Sequence, residues 1–194
     1  MIRRGDSTDP RALRTRAQLI DAARDLLQNN SSEDLSVSGI VKAAGVSRQA
    51  FYEHFTSRES LLLAVAEPVL FEPLVNCISA FRSGSGDGTL ISGCVDAIAE
   101  NREVVLNLLS GPAGALIYDQ CRQAMVPVTR EVIQERVGAR GKEVAEDALG
   151  WTTDFVIAGA LGVLVSVLRN SESGEIAARR FRAVVQTLDM CDEA

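Results

Sequence analysis

One histidine stands in 194 residues, and the four cysteines, Cys77, Cys94, Cys121 and Cys191, are widely scattered with no Cys-x-x-Cys pair. Zinc sites draw on closely spaced Cys and His ligands, so no metal site is expected. The same scatter offers no disulfide framework, and free thiols in a reducing cytoplasm are the expectation. The amino-terminal arginines have no apolar segment behind them, which argues against a secretory signal. The apolar run at residues 155–168 contains 14 residues, Ser166 among them, whereas a spanning helix needs about 20. It reads as a buried helix, and no membrane partner is expected. No strand alternation, internal repeat or phosphate-binding loop is visible. Glu100, Glu103, Asp119, Glu146, Asp147 and Asp154 lie on predicted helices, but the lone His54 has no nucleophile to pair with. An enzyme is therefore not expected, nor are catalytic residues or a cofactor.

What is present is ordinary soluble composition, 46% hydrophobic and 24% charged, with a net charge of −6 that is unevenly spread. Residues 1–66 hold nine Lys and Arg against eight Asp and Glu, while residues 67–194 hold eleven against eighteen. The acidity lies outside the amino-terminal part. There Arg3, Arg4, Arg11, Arg14 and Arg16 could form a basic arm toward a phosphate backbone, although basic termini are often only solvated tails.

The periodicity is helical throughout and predicts an all-α chain of about nine helices. Asp9-Pro10 reads as an N-cap and first helical residue, followed by Leu13, Ile20 and Leu27 every seven residues to a stop near Asn29-Asn30. Ile20, Leu27, Leu35, Ile40, Ala44, Phe51 and Phe55 are the expected core of the first three helices. Thr56-Ser57 caps the next helix, which Pro68 and Pro73 should kink or break. Residues 83–88, SGSGDG, read as a loop. Helices follow over 89–98, 101–109, 115–137 (bent at Pro127), 144–168 and 176–190.

Within the first 60 residues, Val37, Ile40, Val41 and Ala44 end at Gly45, and Ser47 opens a second apolar pattern, Ala50, Phe51 and Phe55. This is helix, tight turn, helix. In its DNA-binding form the second helix lies in the major groove, with its first residues at base edges. Arg48 could pair with guanine, Gln49 with adenine, and Ala50 could meet a thymine methyl. Ser38, Ser47, Tyr52, His54 and Arg58 complete the candidate DNA-binding set, the later ones as phosphate contacts. An ordinary helical hairpin with a solvated edge has the same periodicity.

The segment AGVSRQAFYEHFTSRESL, residues 44–61, closely resembles the DNA-binding module of the tetracycline-repressor (TetR) family of bacterial regulators. The likeness extends over about residues 11–62. Ser31 and Ser32 depart from a usual Gly-aromatic pair, Val41 from Ala and Arg58 from Lys, and Gly39 sits inside a helix at a cost of about 1 kcal/mol.

The resemblance implies a three-helix helix-turn-helix DNA-binding domain at residues 1–57, with its flexible amino-terminal arm. A six-helix ligand-binding and dimerisation domain would follow at 58–194. It also implies a ligand-responsive repressor that binds a palindromic double-stranded operator as a homodimer. An apolar small-molecule effector would enter a pocket for which Phe71, Phe81, Leu106, Tyr118, Met125, Trp151 and Phe155 are candidates, although plain core is the simpler explanation of each, since apolar residues at helical spacing need no ligand to explain them. The helix at 155–168 is apolar nearly all round and calls for extra cover. Gly159 and Gly162, with Phe181, Val184 and Leu188 of the last helix, are the candidate dimer interface, and the family's four-helix dimer bundle would lie there. The alternative is a helical interaction or small-molecule-binding protein that has lost DNA binding, for which Arg48, Gln49 and Tyr52 would be unneeded.

Overall fold

The computed structural model describes residues 9–82 and 88–190, leaving aside the side chains of residues 79, 81, 82 and 184–190. Residues 83–88, apart from the backbone of Gly88, lie outside that description, as do Arg3 and Arg4 of the expected arm. Among the described residues all regular structure is helical. The segments are α1 (Pro10–Leu27), α2 (Val37–Ala44), α3 (Arg48–His54), α4 (Arg58–Ala66), α5 (Glu72–Arg82), α6 (Gly88–Ala99), α7 (Arg102–Leu109), α8 (Ala113–Ala139), α9 (Glu146–Arg169) and α10 (Gly174–Met190).

They form two compact units, Met1–Phe71 with Asn101–Tyr118, and Glu72–Glu100 with Asp119–Ala194. The first of these units runs past residue 57 to Phe71 and takes in Asn101–Tyr118. Helix α4 and the 101–118 segment both pack with the amino-terminal helices.

The first unit is built from local signals. The Asp9 carboxylate accepts from Arg11 N at 2.9 Å and Pro10 sits at the first helical position of α1. Ser36 and Ser47 cap α2 and α3 by accepting from Gly39 N and Ala50 N, each at 3.0 Å. Between them Gly45 takes φ 66°, the left-handed conformation that a Cβ disfavours. Ser57 and Ser60 exchange hydrogen bonds as a capping box at the start of α4.

These helices enclose Leu19, Leu27, Ile40, Phe51, Leu61 and Leu62, all fully buried. The core-facing stripe of α1 is Ala12, Leu19, Ala22, Ala23 and Leu27, one residue out of step with the heptad read from sequence. Leu13 is half exposed, and Ile20 and Ala44 are only partly covered. Both α1 registers carry apolar residues, and the tertiary contacts select between them.

Helix α7 is tied to the segment after α1. Its Asn107 side chain donates to Leu27 O at 2.9 Å, and its backbone carbonyls at Asn107 and Leu108 accept from Ser32 N at 2.9 Å and Ser32 Oγ at 3.2 Å. A Cβ on Gly111 would stand 2.6 Å from Ser32 Oγ. Ser32 is thus a buried clip between the segment after α1 and α7.

Pro68 does not break the chain. Residues Glu67–Phe71 form a π-helical segment between α4 and α5, whose wider turn accommodates the missing donor and the crowded ring of proline. Pro127 likewise lies within a continuous α8.

In the second unit α10 packs extensively on α6 and also contacts α9. Gly174 N donates to the Asp96 carboxylate at 2.7 Å, and a Cβ there would collide with the Ser92 carbonyl, so α10 begins as close to α6 as a backbone allows. Arg122 and Asp154 pair at 2.7 Å between α8 and α9, and Arg130 pairs with Glu146. Helix α9 is 24 residues long, well beyond its 14-residue apolar run. By length and composition alone, Glu146–Arg169 and Arg58–Ile78 could each cross a bilayer. Along one stripe of α9, Leu149, Thr153, Ile157, Leu161, Leu164, Val167 and Leu168 are buried.

Candidate nucleic-acid interface and ligand cavity

Helix α3 is held from beneath by Phe51, which is fully buried and packs against the Phe55 ring at 5.9 Å. Arg16 of α1 lies over Phe55, 5.3 Å from its centroid. The opposite edge is polar and open. Ser38, Ser47, Arg48, Gln49 and Tyr52 are exposed, Ala50 is half-buried beside them, and His54 is half-buried in the last turn.

The Arg48 guanidinium stacks over the Tyr52 ring at 5.8 Å and Gln49 lies 3.5 Å from the Glu53 carboxylate. Both are exposed contacts one helical turn apart, weak enough to exchange for base edges. Ser47 supplies a fixed α3 start from which those two side chains project.

Arg58, a candidate phosphate contact, is engaged within the first unit. Its Nη1 donates to the carbonyls of Leu35 at 3.0 Å and Glu33 at 3.3 Å, and its Nη2 pairs with Glu59 at 3.2 Å. The side chain is only 25% exposed. It ties the start of α4 to the loop before α2. The carboxyl of Glu59 is held below its usual range, first by a backbone hydrogen bond and further by Ser57 and Arg58.

The second unit bears a half-open cavity of about 310 Å³ walled by all five of its helices. Leu74 and Cys77 of α5, Cys94 and Val95 of α6, Met125 of α8, Leu164 of α9 and Phe181 of α10 are among its lining. Arg136 and Thr129, both on α8, are the polar exceptions.

Of the residues expected in a pocket, Met125 lies on this wall. Phe71 and Leu106 are partly buried within the first unit, and Tyr118 is exposed at its edge. Trp151 and Phe155 are 78% and 67% exposed. They point away from the cavity because it meets the face of α9 that carries Val156, Ala160 and Leu164. Phe81 lies outside the described side chains.

Phe181, a candidate for the dimer interface, lines the cavity, while Val184 and Leu188 lie outside the described side chains. Gly159 and Gly162 are exposed with open space around them, in one stripe with Trp151 and Phe155 at helical spacing. Sequence reasoning missed Cys77, Cys94 and Arg136, whose common cavity exists only once five helices converge.

The fold and its open polar edge define an all-α helix-turn-helix protein with a separate cavity-bearing unit. Residues 19–65 match the model of bacterial regulatory proteins of the tetR family. The HTH-type transcriptional regulator EthR of Mycolicibacterium smegmatis is 35% identical over 54 residues, 28% of this chain and 25% of that protein. The chain thus matches about a quarter of the length of that curated relative.

The solved structure of NalD, titled the secondary repressor of the MexAB-OprM multidrug efflux pump in Pseudomonas aeruginosa, has a TM-score of 0.65. It is 19% identical and covers 88% of this chain and 93% of its own. The dihydroxyacetone kinase operon activator DhaS has a TM-score of 0.59 at 16% identity, covering 90% and 95%. At such identity these two likenesses establish the fold.

Proposed function

We propose that this chain is a cytoplasmic, ligand-responsive transcriptional repressor that binds a palindromic operator as a homodimer and has no catalytic role. The observation that carries the reading is the exposed edge of Ser47, Arg48, Gln49 and Tyr52 on a capped α3 within a tetR-family helix-turn-helix. Arg48 and Gln49 would read bases, Ala50 would meet a thymine methyl, and Ser38, Tyr52 and His54 would position the backbone.

Functionally, DNA binding would belong to residues 1–57, and effector binding and dimerisation to 58–194. The exposed stripe of Trp151, Phe155, Gly159 and Gly162 supports a dimer in which two copies of α9 cover each other, with α10 beside it. A two-fold dimer would place half-site centres one helical turn, roughly 34 to 36 Å, or a multiple of it, apart.

The cavity supports an apolar effector. Its effect on DNA requires that it prefer one conformation, and linkage makes the effect reciprocal. The π-helical segment Glu67–Phe71 lies in the chain where such a change would pass from one unit to the other.

The test is binding to the DNA flanking the protein's own gene, against a nonspecific competitor, joined to a reporter transcribed from that DNA. Specific binding with derepression on deleting the gene is expected. Loss of expression on deletion would make the protein an activator, and binding no stronger than to competitor would favour the interaction-protein alternative.

A further inference from the structure

Cys77 on α5 and Cys94 on α6 face one another at the wall of the apolar cavity, both partly buried and both lining it. In the neutral pair each thiol points at a backbone carbonyl, Cys77 Sγ at Leu90 O (3.8 Å) and Cys94 Sγ at Pro73 O (3.5 Å). Thiol hydrogens rotate freely, and each sulfur is also within hydrogen-bonding reach of the other. If Cys77 ionises, the Cys94 S–H can turn from Pro73 O to the thiolate. Arg136 is the one charged residue among those lining the cavity. Two cysteines used only as small apolar fillers would need neither the mutual contact nor open space in front of the sulfurs.

We propose that this cavity is a covalent site for apolar soft electrophiles of the α,β-unsaturated carbonyl class, with Cys77 as nucleophile and Cys94 as the positioning residue that holds it. Cys77 gives its proton to water and its sulfur lone pair forms an S–C bond at the β-carbon of the electrophile. The C=C π pair moves toward the carbonyl to give an enolate, which takes one proton from water at the α-carbon. The product is a thioether, with no leaving group and no oxidant. The aliphatic wall formed by Leu74, Val95, Leu164 and Phe181 selects electrophiles with an apolar body.

The direction of the sulfur pKa values agrees with these roles. The hydrogen bond from Cys94 draws Cys77 below the usual thiol range against the opposing effect of burial. Cys94 is pushed up, first by the same bond and then by burial. Cys121, buried on α8 away from the cavity lining, is pushed up to about 12 by burial and is the internal control.

That such an adduct would act as the effector signal rests on the repressor reading above, whereas the covalent site itself does not. The experiment uses the full chain with Cys191→Ser, treated with benzylideneacetone or its ring-sulfonated analogue and followed by intact mass and peptide mapping. One adduct of the full probe mass on Cys77 is expected, forming about tenfold faster than on Cys121 and faster than with the sulfonated probe. Cys77→Ala and Cys77→Ser should both abolish it. Cys94→Ala should leave the adduct but move the midpoint of its rate against pH upward, which a merely structural role would not do.

Equal labelling of Cys77 and Cys121, an unchanged pH midpoint in Cys94→Ala, or a 2 Da loss linking Cys77 to Cys94 without adduct would each overturn the proposal. An adduct that leaves operator binding intact would remove its regulatory role and keep the site. A non-covalent ligand that releases DNA without any adduct would do the reverse.

Discussion

The two units use the same helical vocabulary to opposite ends. In the first, short capped helices converge on Leu19, Ile40, Phe51 and Leu62 with full burial, and the remaining face of α3 is polar. In the second, longer helices leave about 310 Å³ unfilled and expose Trp151 and Phe155. Protein interiors are normally packed as densely as organic crystals, so the apolar walls of a pocket of that size lack contacts that a ligand could supply. The difference separates a rigid template from a body whose stability is open to adjustment by what binds it.

The largest expected effect breaks the template. Phe51→Ala should cost about 3 to 5 kcal/mol, because its site is enclosed on every side. Ala160→Leu, which adds carbon to existing space at the cavity wall, should change stability by less than about 1 kcal/mol. Urea unfolding of both variants checks the pair. A loss for Ala160→Leu as large as for Phe51→Ala would mean that the second unit is as tightly packed as the first.

Next in size is the exposed stripe of α9. Gly162 has open space around it, so Gly162→Glu should leave the folded subunit intact. Across a dimer interface, however, an unpaired charge should cost about 3 to 5 kcal/mol. Light scattering should return a dimer mass for the unaltered chain and a monomer mass for the variant. A monomer in both would leave the stripe without the proposed role.

The third expectation contrasts two arginines of the first unit. Arg48→Ala should cost about 1 to 3 kcal/mol on operator and relax preference at particular base pairs, as should Gln49→Ala. Neither should alter folding stability, since both side chains are exposed. Arg58→Ala should do the opposite and lower stability by about 1 to 2 kcal/mol, because two carbonyls lose a charged donor. Its salt slope on DNA should stay unchanged. Salt titrations on operator and scrambled DNA, paired with thermal unfolding, separate the roles, and a slope reduced by about one would return Arg58 to the phosphate backbone.

This contrast also locates what was legible in the sequence. Caps, the Gly45 turn and the apolar rows around Phe51 are decided within a few residues, so the helix-turn-helix could be read directly. The bonds of Arg58 were not legible, because its partners are carbonyls 23 and 25 residues earlier, and a backbone acceptor leaves no trace in side-chain identity. Trp151 and Phe155 were expected inside because aromatic residues usually are, whereas α9 has two apolar stripes and only packing decides which one is covered. The cavity was illegible for the same reason. Its lining comes from five helices, and no local pattern distinguishes a wall residue from ordinary core.

The smallest expected effect tests whether the Ser47 end of α3 meets DNA or only begins a helix. Its hydroxyl accepts from Ala50 N at 3.0 Å, so Ser47→Ala should cost about 1 kcal/mol of stability whatever the function. Ser47→Asp keeps an acceptor of equal capping strength and adds a negative charge that favours the helix start. In thermal unfolding, Asp should therefore match the unaltered chain. Against DNA the same charge should repel phosphates, weakening operator and scrambled sequences alike, and more so at low salt. The pair of variants separates cap from contact without relying on a single loss of function. If Ser47→Asp holds operator DNA as tightly as the unaltered chain at low salt, the start of α3 does not face the duplex, and base reading by Arg48 and Gln49 must be given up with it.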